Sequence, residues 1–315
     1  RKMRFSEDVA NGIQNLDEHW NGKGMPVGIS ETDIPIFSRI ALMAQVVDVF
    51  HTANGADAAL HEIKQRSGTW FQPEMVTAFE QASQQSDFWE TLKSKDLQKT
   101  IHNLDPAQYE REVDEDYLDD IAAAFAKVVD AKSPFTSGHS ERVTVYTDLI
   151  AQKMNFTLPK RRWLRRAALL HDIGKLGVSN SILDKPGKLD DEEFAVIKMH
   201  PVYSEQILKN INAFSDISPI AGSHHERLDG KGYPRGLKGD EIDLDTRIVT
   251  VADIFDALTA DRPYRAAMPQ SKALSIMDEM VDSAIDSRCF ETLKDVLREM
   301  NQLDPSPINL NADSA

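Results

Sequence analysis

Two histidines stand side by side in His224-His225-Glu226-Arg227-Leu228-Asp229-Gly230-Lys231-Gly232-Tyr233-Pro234, closing what reads as a helix. At ~3.6 residues per turn, adjacent imidazoles point roughly 100° apart, so they serve two neighbouring ions more easily than they chelate one. Gly230 and Gly232 let the following loop fold back over a bound ligand. Taken alone, the pair would be two half-exposed histidines at a helix end. Its company changes that reading. His171-Asp172-Ile173-Gly174-Lys175 ends the apolar helix Trp163 to Leu170, and His139 opens a helix after Ser133-Pro134. His200 lies near the middle of residues 190–210, and Asp253 lies in the apolar run Ile248 to Leu258. Together these residues offer imidazole and carboxylate donors and no thiolate. Such a set suits Fe, Mn, Zn or Ni better than Ca or Mg, which take oxygen shells. Asp172, with two oxygens, can bridge two cations; a histidine cannot.

The motif HDIGK at 171–175, followed by HHERLDGKGYP at 224–234, resembles the paired signatures of the HD-GYP family, a branch of the HD metal-dependent phosphohydrolases. Both motifs match in full and in order, a far more specific pattern than one short motif. The resemblance covers about residues 117 to 300. It implies an all-α HD-domain helical bundle that binds two or three metal ions. The implied activity is hydrolysis of cyclic dinucleotides, principally cyclic di-GMP, to linear pGpG and, with a second cut, to GMP.

By the same resemblance His139, His171, Asp172, His200, His224, His225 and Asp253 are metal ligands. Lys175 and Asp172 are catalytic, with Lys175 also on a phosphate oxygen, and Arg262 and Arg265 hold phosphate through their planar guanidiniums. Relatives with a third ion carry a glutamate one turn before the first ligand histidine. Phe135 stands there, so two divalent ions are expected, Fe or Mn first, with Zn or Ni compatible. Tyr233 either stacks on a base or braces its loop. Two cations about 3.5–4 Å apart would hold a phosphodiester and activate water, and no Ser or Cys sits in a triad-like setting. Two further readings stay open: a cyclic GMP-AMP phosphodiesterase, and a non-catalytic cyclic-dinucleotide sensor.

The elements that must position these residues are helical. Leu118, Ile121, Phe125, Val128 and Val129 form one apolar stripe, and Val143, Tyr146, Ile150 and Met154 a second. Lys160-Arg161-Arg162, with Arg165 and Arg166, reads as a solvated face. Pro201 breaks the helical pattern beside His200. The catalytic domain is expected over 117–301 and a disordered tail over 302–315.

Residues 1–102 read as a partial, degenerate helical copy of the same domain. Asn21-Gly22-Lys23-Gly24-Met25-Pro26 matches Asp229 to Pro234 at an offset of 208, which also pairs Gly28 with Gly236, Ile34 with Ile242, Arg39 with Arg247, and Asp48 with Asp256. Leu16, Asp17 and Gln45 fall where His224, His225 and Asp253 stand, so this copy lacks the ligands, and its first half is expected upstream of Arg1. Helices are expected over Pro35–Phe50, Ala56–Arg66, Gln72–Ala82 and Phe88–Thr100, followed by a linker over 103–116.

Composition narrows the function. Lys and Arg number 36 against 51 Asp and Glu, a formal charge of −15, which argues against polymeric nucleic acid as a partner. The single cysteine, Cys289, forms no internal disulfide and points to a reducing, cytoplasmic setting. No run approaches the ~20 apolar residues of a membrane span. The expected partners are a cyclic dinucleotide and either a second copy of the chain or a signalling protein.

Overall fold

The computed structural model describes residues 3–85, 87–104, 113–133, 137–261 and 266–303. Phe135, Arg262, Arg265 and residues 304–315 of the expected tail lie outside the described residues. The described residues form α-helices and short 3-10 turns with no strand, and only three isolated β-bridges. The chain divides into two compact units, residues 1–112 and 113–315.

The first unit holds α1 (Glu7–Gln14), α2 (Ile36–Asn54), α3 (Ala56–Gln65), α4 (Pro73–Ser83), α5 (Phe88–Lys93) and α6 (Leu97–Leu104). Its core is small: Leu42, Met43, Val46 and Val47 of α2 pack with Ala59, Ile63, Phe71 and Val76. By length and composition alone, α2 is apolar enough to cross a membrane, although that core face is packed against α3 and α4. The helix expected over Phe88–Thr100 is two helices. Ser94 adopts an extended backbone, and its Oγ accepts from Asp96 N at 3.1 Å, a local bond that competes with helix continuation.

The second unit holds α7 (Glu115–Asp130), α8 (His139–Lys153), α9 (Leu158–Leu170), α10 (Asn180–Leu183), α11 (Asp191–Ile197), α12 (His200–Lys209), α13 (Ser218–Ser223), α14 (Leu244–Thr259), α15 (Gln270–Asp278) and α16 (Ser287–Leu303). Here α8 packs on α9, α14 and α16, and α12 packs on α13. Val143, Ile150, Leu164, Leu170, Ile248, Phe290 and Leu293 are all fully buried in one core. Each such side chain contributes about 1.5–3 kcal/mol of burial, which makes this bundle a stiff frame. Pro201 falls in the first turn of α12, where its missing N–H costs nothing. The break it imposes therefore falls between Ile197 and His200.

The basic run is not a solvated face. Arg161 pairs with Asp148, Arg162 with Asp119, and Arg166, 6% exposed, with Asp119 and Glu115. Asp119 lies one turn after Glu115 on α7, and that spacing draws the guanidiniums of α9 inward. They line a cavity of about 820 Å³.

The two units repeat one motif in atomic detail. Glu18 accepts from Val27 N (2.6 Å) and Gly28 N (2.9 Å), while Glu226 accepts from Arg235 N (2.6 Å) and Leu237 N (3.0 Å). Met25 N bonds Asp17 O at 3.0 Å, and Tyr233 N bonds His225 O at 3.2 Å. Gly22 and Gly230 have φ of 72° and 75°, and Met25-Pro26 and Tyr233-Pro234 are both cis. A Cβ on Gly24 would lie 2.5 Å from Glu18 Cα, and one on Gly232 would lie 2.5 Å from Glu226 Cα, so neither loop tolerates a side chain there. α2 begins at 36 against 244 for α14, but α3 begins at 56 against 270 for α15. The offset thus rises from 208 to 214, and the second unit has six more residues in the stretch that contains Arg262 and Arg265.

Candidate metal centre

Four of the histidines arrive at the same point, each with its Nδ1 tied to an oxygen. His171 follows the last residue of α9, and its Nδ1 lies 2.7 Å from Ala168 O. His224 follows α13, with Nδ1 2.7 Å from Ala221 O, and His200 begins α12, with Nδ1 2.7 Å from Ile197 O. His139 begins α8, and its Nδ1 meets Asp256 Oδ2 at 2.7 Å. A carbonyl or carboxylate oxygen can only accept, so each Nδ1 carries a proton and Nε2 is the nitrogen left to meet a cation.

Those Nε2 atoms converge on Asp172. Its Oδ2 lies 3.4 Å from His139 Nε2 and 3.4 Å from His171 Nε2, and Asp253 Oδ1 lies 3.3 Å from His139 Nε2. Its Oδ1 lies 3.2 Å from His200 Nε2 and 3.7 Å from His224 Nε2. Two donor groups result: His139, His171 and Asp253 on one side, and His200, His224 and His225 on the other, each with its donor atoms within 4.8 Å of one another. Asp172 turns one oxygen to each. With bonds of about 2.1 Å to a central ion, neighbouring donors stand ~3.0–3.4 Å apart. The distances here are close to that spacing.

Burial makes the fit more pointed. His139, His171, His200 and His224 are at most 1% exposed, and Asp172 is 2% exposed. His139 Nε2, His171 Nε2 and Asp172 Oδ1 are buried without a hydrogen-bond partner. An unmade hydrogen bond at a buried polar atom costs about 1–3 kcal/mol, and a cation placed between these atoms would satisfy all three. The donor set fits a pair of divalent ions.

The electrostatics differ across Asp172. Burial disfavours charge on His139, but Asp172, Asp253 and Asp256 outweigh it and lift the imidazole to about 10. Burial likewise opposes charge on Asp172, yet Lys175, His171 and His139 hold its carboxyl well below the usual range. Burial also opposes charge on Asp253, which His139 and His171 hold well below that range. On the other side, burial lowers His225 to about 3 and, with His225 and His171 as neighbours, takes His224 well below the ordinary imidazole value. The first half attracts positive charge; the second keeps neutral nitrogen donors.

The scaffold explains why these atoms meet. The N–H of Gly174 donates to Ser204 Oγ at 2.8 Å, and that hydroxyl donates to His171 O at 2.8 Å, tying the HDIGK turn to α12. A Cβ on Gly174 would come within 2.0 Å of His200 O, so only glycine permits the approach. Thr250 Oγ1 donates to His224 O at 2.8 Å and fixes the end of α13 to α14.

Every described residue singled out from sequence is at this centre. Lys175 Nζ contacts Asp172 Oδ2. The Tyr233 ring lies against His225, centroids 4.8 Å apart, with Phe194 at 6.4 Å and Lys198 Nζ 5.8 Å from the ring centroid. Sequence reasoning missed Glu226, Ser204, Asp256 and Arg142. The 208-residue repeat carried a signal for two of them, because it pairs Glu226 with Glu18 and Asp256 with Asp48.

A family model described as "HD domain" matches residues 1–75 and 123–289. The chain is 57% identical, over 94% of its own length and 65% of the relative's, to a protein of Vibrio cholerae named "3'3'-cGAMP-specific phosphodiesterase 3". It is 39% identical, over 53% of its length and 45% of the relative's, to "Cyclic di-GMP phosphodiesterase response regulator RpfG" of Xanthomonas campestris. A crystal structure described as a cyclic GMP-AMP specific phosphodiesterase of V. cholerae superposes with a TM-score of 0.65 at 53% identity, covering 95% of this chain and 69% of that one. The chain thus spans about half to two thirds of the length of these curated relatives.

Proposed function

The chain belongs to the HD-domain family, in its metal-dependent HD-GYP branch, and from that premise we propose that its second unit hydrolyses a phosphodiester of a cyclic dinucleotide, with 3'3'-cyclic GMP-AMP as the favoured substrate. The observation that carries the chemistry is Asp172, buried between two donor groups with one oxygen turned to each. The 57% identity to a protein named for cyclic GMP-AMP favours that substrate over cyclic di-GMP, the substrate expected from the motifs. Cyclic di-GMP remains the second reading, supported by the 39% identity to RpfG.

In this reading His139, His171 and Asp253 would hold one divalent ion and His200, His224 and His225 the other, with Asp172 offering one oxygen to each group. Iron or manganese suits this thiolate-free set best, with zinc or nickel compatible. Two bound ions would neutralise the phosphodiester and lower the pKa of a water held between them.

The chain's own residues do the rest. Lys175, anchored on Asp172, presents its ammonium to a non-bridging phosphate oxygen. Tyr233 holds His225 in place from the loop side. Water adds to phosphorus and the P–O3' bond breaks. The departing 3' oxygen takes up a proton, and a linear 5'-phosphorylated dinucleotide is released. Arg262 and Arg265 are assigned to the second phosphate. The first unit, with Leu16, Asp17 and Gln45 at ligand positions, is a silent copy with a regulatory part to play.

The test is product chromatography of Mn²⁺-loaded protein given each cyclic dinucleotide. Linear dinucleotide should form faster from cyclic GMP-AMP, and Asp172→Ala should abolish it. Faster turnover of cyclic di-GMP would return the assignment to the second reading. Tight binding of either ligand with no product would mark a sensor.

A further inference from the structure

His139 differs from the other donors in what holds its second nitrogen. Nδ1 of His171, His200 and His224 each meets a backbone carbonyl three residues back, at 2.7 Å. Those carbonyls are neutral and come with the helical turn itself. His200, like His139, begins a helix, but it follows α11 so directly that Ile197 O is still in reach. His139 follows Gly138, whose left-handed φ of 66° breaks the helical path into α8. Asp256 supplies the acceptor instead: it is 1% exposed, with Oδ2 2.7 Å from His139 Nδ1.

The surroundings of Asp256 are built to keep it there as an anion. Arg142, one turn after His139 on α8, donates Nε to Asp256 Oδ1 at 2.6 Å and Nη2 to Oδ2 at 3.1 Å. Its remaining Nη1 donates to Ser137 O at 3.0 Å. Asp256 also lies one turn after Asp253 on α14. A single helix face therefore puts one carboxylate on each side of the same imidazole, Asp253 at Nε2 and Asp256 at Nδ1. In the first unit the counterpart of Asp256 is Asp48, which is exposed.

We propose that Asp256, charge-balanced by Arg142, is a positioning residue that fixes the tautomer of His139 and strengthens it as a donor. It thereby raises affinity selectively for the ion held by His139, His171 and Asp253. This rests on the two-ion reading above. An anionic acceptor pushes more electron density into the imidazole than a carbonyl does, and losing such a partner costs ~10–100-fold in metal affinity.

The experiment is calorimetric titration of metal-stripped full chain with Mn²⁺, comparing the parent with Asp256→Asn. The amide oxygen can still accept from Nδ1, so the acceptor is kept while the charge, and with it the Arg142 Nε bond to the second oxygen, is removed. The parent should take up two ions. The variant should bind one of them ~10–100-fold more weakly and the other within about threefold of the parent. Electron paramagnetic resonance at two equivalents should then change from a spin-coupled pair to an isolated-ion signal. Unchanged affinity for both ions, or equal weakening of both, would overturn the inference. A parent that binds no Mn²⁺ would overturn it together with the two-ion reading.

Should the variant not fold, Zn²⁺-loaded parent gives a second readout. Its His139 Nδ1 proton should resonate downfield of those of His171, His200 and His224. A position among the others would count against a carboxylate partner.

Discussion

The loop from Asp17 to Gly28 and the loop from His225 to Gly236 share a glutamate brace, a left-handed glycine, a glycine that admits no side chain and a closing cis proline. One carries histidines at its stem and the other carries Leu16 and Asp17. The difference teaches that the loop's shape does not depend on the chemistry it serves. Backbone hydrogen bonds to a buried carboxylate fix the shape. Ligand identity can then drift without unfolding it. The six residues that separate the units between α14 and α15 fall in the stretch with Arg262 and Arg265, so the first unit lacks the proposed phosphate contacts as well as the ligands.

The sharpest way to break this comparison is to alter each unit's stem. Asp172→Ala removes the one carboxylate shared by both donor groups and should cost activity by more than the ~100-fold expected for loss of a ligand's hydrogen-bond partner. Asp17→Ala, at the place of His225, should leave turnover within about twofold, since no donor group depends on it. Steady-state rates for the two variants decide the matter. A large loss from Asp17→Ala would mean that the first unit takes part in the chemistry.

A smaller effect is expected where the units are alike. Glu226→Gln and Glu18→Gln each turn a carboxylate oxygen that accepts a backbone N–H, from Leu237 in one and from Gly28 in the other, into an amide NH2 that cannot accept. Each should cost about 1–3 kcal/mol of local stability. Only Glu226→Gln should also slow turnover, by ~10-fold or more, because its loop holds Tyr233 against His225. Urea unfolding paired with rates on both variants would show it. Equal slowing by the two would dissolve the distinction between scaffold and site.

Much of this was legible in the sequence, for reasons of range. The ligand histidines and aspartates sit in two contiguous motifs and three isolated positions on helices whose apolar spacing is local. The helical class followed from that spacing, and the candidate metal centre from those motifs and the family they resemble. What escaped depends on pairs far apart in sequence. Asp256 reaches His139 across 117 residues, and Ser204 reaches His171 across 33. Arg166 was read as solvated because nothing in its own helix reveals the acids of α7. The split at Ser94 was missed for the opposite reason: one side-chain bond outweighed an otherwise helical pattern.

The smallest expected effect separates the units by pH. In the second unit Arg247 Nη1 donates to Asp286 Oδ2 at 2.9 Å, and Cys289 N donates to Asp286 Oδ1 at 2.9 Å. In the first unit the same joint is Arg39 Nη1 to Gln72 Oε1 at 2.5 Å, an amide that does not titrate. Burial raises the Asp286 carboxyl, but the Cys289 N–H and Arg247 outweigh it and hold the group below the usual range. An unfolded aspartate titrates near ~3.9. With the folded value lower, the stabilisation is fully present above about pH 4 and is lost as pH falls through the folded value. Asp286→Asn should therefore cost on the order of 1 kcal/mol at neutral pH, with the gap to the parent closing in acid. Gln72→Glu should bring the same acid sensitivity to the first unit. Urea unfolding at pH 7 and at progressively lower pH measures both. A gap between Asp286→Asn and the parent that stays constant down to the acid limit would place the pH dependence of this unit elsewhere.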